Sequence, residues 1–124
     1  MLLLAVVSHS AAAAWVKLGD DSQGTAVYYD PASIRRSGAT VKMWHLYDYR
    51  IAQLYKTESL YFSTTVHGEH DCKEARTRAT SLTLHSEHMA GGKVLQASSE
   101  PGNWAPAAPN SVHGALWKIA CGKP

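Results

Sequence analysis

Four histidines fall within one stretch of the chain, His67, His70, His85 and His88, with Glu69, Asp71 and Glu87 between them. Imidazole and carboxylate are ligands for zinc, and imidazole is a common axial ligand of haem iron, so metal or haem binding is the chemistry this stretch suggests. Strand geometry opposes that reading. His67 and His70 are three apart and point to opposite faces of a regular strand. Pairing the two arms of a hairpin sets His67 against Ser81 and His85 against Ser63, which leaves the imidazoles on a solvated polar face. A bulge at Gly68 would re-aim one of them, and a metal- or haem-binding protein stays open as the alternative reading on that ground.

The only other residues with distinctive chemistry are the two cysteines, Cys72 and Cys121. There is no C-x-x-C and no repeated Cys/His spacing of the zinc type, so a redox or metal-bound thiol lacks support. The chain also has no G-x-S-x-G elbow, no phosphate-binding glycine loop and no H-E-x-x-H helix. It reads as a non-enzymatic protein without a cofactor. A net charge of +2, with basic residues scattered along the chain, argues against nucleic acid as a partner.

The element that must position these residues is a long β-hairpin from Tyr61 to Ser86. Phe62, Thr64, Val66 and Cys72 share one face of its first arm, and Thr80, Leu82 and Leu84 share one face of the second. Setting Cys72 opposite Arg76 around the turn Lys73-Glu74-Ala75 brings the apolar sets together. Upstream, Trp15 to Leu18 and Thr25 to Tyr29 read as strands, Pro31 to Arg36 as a helical turn capped by Asp30, and Thr40 to Arg50 as a long strand. Val94 to Ser98 follows a glycine turn, and Glu100 to Pro109 reads as a loop with Trp104 as its anchor. The one helix comes last: Asn110 or Ser111 caps it, Val112, Ala115, Leu116 and Ile119 recur at helical spacing, and Gly122 ends it. The fold class is therefore α+β, an antiparallel sheet of five or six strands with one C-terminal helix packed on it and a single disulfide.

The first fourteen residues read as a signal peptide, with Met1 to Val7 as an apolar run and Ala12 and Ala14 as the small residues of a cleavage site. The mature chain, residues 15–124, is expected to be one domain in the periplasm or the medium, with no membrane span. In an oxidising compartment Cys72 and Cys121 should join, closing a loop of roughly fifty residues.

Trp15-Val16, Tyr29-Asp30-Pro31, Trp44-x-Leu46-x-Asp48-Tyr49, Asp71-Cys72 followed by Arg76 and Arg78, Met89-x-x-Gly92, Trp104, and Pro109-x-Ser111 leading to Cys121 together resemble the surface-adhesin protein E family of bacteria. The likeness covers nearly all of residues 15–124. It implies an antiparallel sheet packed against a C-terminal helix, a disulfide at the two cysteines, and binding to host matrix proteins. The family's namesake is a lipoprotein, whereas no cysteine follows the expected cleavage site here, so no lipid anchor is expected.

One short helix covers only part of a sheet face, yet the strand Thr40 to Arg50 carries aromatic residues on both sides. Trp44, Tyr47 and Tyr49 are therefore the candidate residues for contact with a protein partner, either an unknown protein or a second copy of the chain forming a homodimer.

Overall fold

The computed structural model describes residues 14–124, so the expected signal peptide lies outside the described residues apart from Ala14. In chain order the elements are β1 (Val16–Asp20), β2 (Ala26–Tyr29), a 3-10 turn (Pro31–Ser33), β3 (Arg35–Ser37), β4 (Thr40–Tyr55), β5 (Ser59–Asp71), β6 (Arg76–His85), β7 (Val94–Ser98), β8 (Ala105–Pro106) and α1 (Val112–Cys121). The strands form one antiparallel sheet in the order β1-β2-β4-β5-β6-β7. β3 pairs with β4 and β8 with β6.

Among the described residues the sheet thus has eight strands, more than the five or six expected. The two extra ones are too short to show periodicity. Asp30 does cap a turn, accepting from the Ala32 amide at 3.0 Å, but the turn ends at Ser33 and Arg35–Ser37 instead turns about Gly38 onto Thr40–Lys42. Ala105–Pro106 lies inside the proline-rich segment, and Pro106 is accommodated because β8 pairs on one side only. β4 also outlasts its expected end at Arg50 and runs to Tyr55.

The hairpin turn differs from expectation by one residue. Asp71, not Cys72, faces Arg76, and the turn is Cys72–Ala75, with Ala75 in the left-handed region at φ 52°. The cause is the Asp71 carboxylate, which accepts from the amides of Lys73 (3.1 Å) and Glu74 (3.0 Å) and from Arg76 Nε (3.0 Å), so it starts the turn early. The Glu74 amide above all, with Arg76 and the Lys73 amide behind it, holds this carboxyl below its usual range. The slip is absorbed at Gly68, where a bulge leaves Thr80 as the extra residue of β6; beyond it His67 faces Ser81 and Ser63 faces His85, as expected.

α1 crosses one face of the sheet. Ser111 caps it by accepting from the Gly114 amide at 3.0 Å, and Gly122, left-handed at φ 67°, ends it. Leu116 and Ala120 pack on Val27, Val41 and Met43, which form the core with them. The disulfide Cys72–Cys121 ties the helix end to the hairpin turn, and Trp117 Nε1 donates to the Asp71 carbonyl at 2.8 Å beside it. Among the described residues no helix is long and apolar enough to cross a membrane.

Gly114 marks the closest approach of the helix to its preceding loop. A Cβ there would run into the Ala108 carbonyl oxygen and lie 3.1 Å from its carbon, and backbone cannot move aside as a side-chain tip can. Gly114→Ala is therefore expected to destabilise the protein by about 1–3 kcal/mol, outweighing the gain in helix propensity of up to about 1 kcal/mol. Chemical denaturation of the variant decides which effect wins, and a stabilised variant would refute the steric account.

Candidate functional site

The four histidines marked by the sequence do not converge. His67 lies on the face away from α1, with its ring stacked on Trp44 at 4.4 Å. His85 is buried on that same face and bonds Thr65 Oγ1 through Nε2 at 2.8 Å. His88 is exposed and holds Asp48 at 3.1 Å. His70 is on the helix side and fully buried. Among the described residues no group of three or more His, Cys, Asp or Glu side chains is arranged to hold a metal ion. Nor is the away face solvated throughout. The segment after β6 folds back over it, so that Ser63 donates to the Glu87 carbonyl at 2.6 Å and accepts from the Ala90 amide at 2.9 Å, leaving Ser63 buried.

His70 meets a histidine that sequence reasoning passed over. His45 faces Val66 and His70 faces Val41, so the two are diagonal neighbours on either side of the pair Met43 and Gly68. Their rings lean together, with Nε2 to Nε2 at 3.1 Å. Gly68 makes this contact feasible: a Cβ there would collide with His45 Cε1 and lie 2.8 Å from Nε2. A glycine in a strand interior often marks such a close approach, and Gly68 was the one signal in the sequence that pointed here. Desolvation, reinforced by the neighbouring imidazoles, pushes His45 down to about 3, and the same cause takes His70 to about 4, so both are neutral at pH 7.

The pair sits in the wall of a cavity of about 390 Å³ between the sheet, the first turn of α1 and the strand β8. Tyr47, Tyr49 and Thr64 line its sheet side, and His113 and Leu116 come from α1. Tyr49 and Thr64 share a hydrogen bond of 2.9 Å. Burial raises the Tyr47 phenol to about 12 and, as the largest effect, raises that of Tyr49 too. The aromatics proposed for protein contact are therefore divided between faces, Trp44 on one and Tyr47 with Tyr49 on the other.

A third feature is the ribbon formed by the ends of β4 and β5. β2 pairs with β4 only as far as Asp48, and β6 pairs with β5 only from Ser63, so beyond these residues the hairpin continues as two strands, with Leu54 facing Leu60. Ile51, Leu54 and Leu60 are 67%, 64% and 50% exposed on it. Tyr61 packs edge-on against Tyr49 at 5.6 Å at its base.

Among the described residues, a disulfide-tied antiparallel sheet with one helix across a face and an apolar ribbon extending from it defines the class, a small α+β domain. The family pattern described as Surface-adhesin protein E matches residues 15–122, and the chain belongs to that family. No curated protein matches it in sequence. Among solved structures it is similar to protein E of Haemophilus influenzae. One crystal form has a TM-score of 0.66 at 15% identity, with 86% of this chain and 96% of that one covered. A second structure has a TM-score of 0.67 at 12% identity, with 87% and 83% covered. At these identities the likeness is one of fold.

Proposed function

We propose that this protein is an exported, non-enzymatic binding module of the bacterial envelope that attaches to another protein through the β4–β5 ribbon. The observation that carries this reading is the exposure of Ile51, Leu54 and Leu60 on a two-stranded extension. Apolar side chains displayed in this way are costly in water and are usually covered by a partner. The outer edges of the ribbon also offer unpaired backbone groups to an added strand. Tyr49, at its base, is the candidate aromatic nearest the contact. Family membership supports a surface-adhesin role, with host matrix proteins as the partner class. The disulfide fits the periplasm or the medium as the compartment, with residues 1–14 removed on export.

The test is binding of the purified protein to an immobilised panel of extracellular-matrix proteins, repeated with Leu54→Asp and Leu60→Asp. Both side chains are exposed, so the fold should survive. Binding by the parent and at least about tenfold weaker binding by each variant is the expected result. Binding unaffected by either change would remove the ribbon from the function. A parent dimer that the same changes convert to monomer would make the ribbon a contact between copies of the chain instead.

A further inference from the structure

The helix-side cavity meets the ribbon at Tyr49, while Ile51, Leu54 and Leu60 do not line it, and its walls have a chemistry of their own. Its volume of about 390 Å³ lies within the range of about 300–1,000 Å³ typical of small-molecule sites. We propose that it binds a neutral, single-ring aromatic molecule bearing one hydroxyl or carbonyl group.

Of the ionisable groups that line the cavity, His45 and His70 are buried and neutral, and Tyr47 keeps its proton. Among the described residues the one permanent cation of the lining, Arg78, is committed elsewhere: its Nε donates to Glu69 at 2.8 Å, and its guanidinium lies over the Trp104 ring at 4.3 Å. His113 stands at the exposed rim. An ionised group pressed against the inner wall would give up hydration and, among the described residues, meet no free counter-charge there, which costs a charge far more than a neutral polar group.

Shape and polarity narrow the class further. Tyr47, Tyr49 and His45 present aromatic rings, and Val66, Leu82 and Leu116 present apolar surface, a combination that suits a flat ring better than a flexible polar chain. The Tyr49 and Thr64 hydroxyls share one hydrogen bond, so of their two protons one remains to donate to a further acceptor. The histidine pair is under-satisfied as well. Beyond the single Nε2–Nε2 contact, His70 Nδ1 is buried with no hydrogen-bond partner among the described residues, an arrangement that costs stability and that native interiors rarely keep. Polar groups held in surplus beside an apolar, ring-sized space are the features of a recognition site rather than of a closed core.

Titration of the folded, oxidised protein with p-cresol, followed by amide chemical shifts at pH 7.5, tests the proposal. The expected result is saturable shifts at Thr64, Gly68 and Leu116, with affinity at least about tenfold higher than for 4-hydroxybenzoate, which adds a carboxylate to a ring of similar size. Ala105→Phe, which places a ring in the cavity wall, should weaken p-cresol binding by about tenfold or more, and Thr64→Val by a few-fold. Leu54→Asp should leave it unchanged, so failure here and failure of the ribbon reading are told apart. No saturation up to about 10 mM, equal affinity for the anion, or shifts confined to Trp44 and Trp104 on the other face would each overturn the assignment.

Discussion

Replacing Cys72 and Cys121 together by serine is expected to lower the free energy of unfolding by about 4 kcal/mol, within a total that for a domain of this kind is about 5–15 kcal/mol. The bond joins residues 49 apart in sequence, so without it the unfolded chain recovers the freedom of a long loop. The effect should appear first in α1. Apart from the bond, the helix is held by the packing of Leu116 and Ala120, with Val112 and Ile119 beside them, and by the hydrogen bond from Trp117 to the Asp71 carbonyl. Hydrogen exchange in the double-serine variant should therefore show residues 112–121 losing protection before β4 and β5. Urea denaturation gives the magnitude. A loss under about 1 kcal/mol would mean that the helix docks without help from the bond.

Acidification from pH 6.5 to 4.5 is expected to destabilise the protein by up to about 1.4 kcal/mol per pH unit for each of His45 and His70. In the unfolded chain both take up protons near pH 6.5, but in the fold only near 3 and 4 respectively. The unfolded state thus binds more protons across this window: stability is complete above pH 6.5, falls as the pH drops, and levels off below the folded values. His67 and His85, also lowered by burial, act in the same direction. Among the neighbours, Glu69 opposes the shift of His70 and that of His67, while Lys42 adds to the latter. Asp71 acts lower down, since its depressed carboxyl loses its contribution only as the pH falls below about 4. Urea midpoints at pH 7.5, 6.5, 5.5 and 4.5 measure the slope, and His45→Gln, which keeps a hydrogen-bonding group beside His70, should reduce it. A midpoint independent of pH between 6.5 and 4.5 would show that the pair takes up protons in the fold as readily as in the unfolded chain.

Much of the architecture was legible in short stretches of sequence because its causes are local. Ser111 and Gly122 bound the helix through hydrogen bonds to residues three or four away, Asp30 caps its turn through the amide two residues on, and strand alternation gave the pairing of His67 with Ser81 and Ser63 with His85. With only two cysteines, one disulfide was the expected outcome, and it is present. Local signals also competed: the Asp71 carboxylate claims the turn amides that alternation alone assigns to a tighter hairpin.

What only the tertiary structure decided lies where distant segments meet. No periodicity in β4 announces that His45 will lean across Gly68 to His70, since that contact needs the β4–β5 register and an absent side chain at one position. Nor does any local pattern show that Glu87 and Ala90 will close over Ser63, or that Tyr47 and Tyr49 will face a cavity walled by α1 and β8. Caps and alternation act within a few residues, whereas pockets and covered faces depend on which strands end early and where the chain returns. The ribbon exists for that reason: β2 and β6 stop pairing at Asp48 and Ser63, and β4 and β5 continue without them.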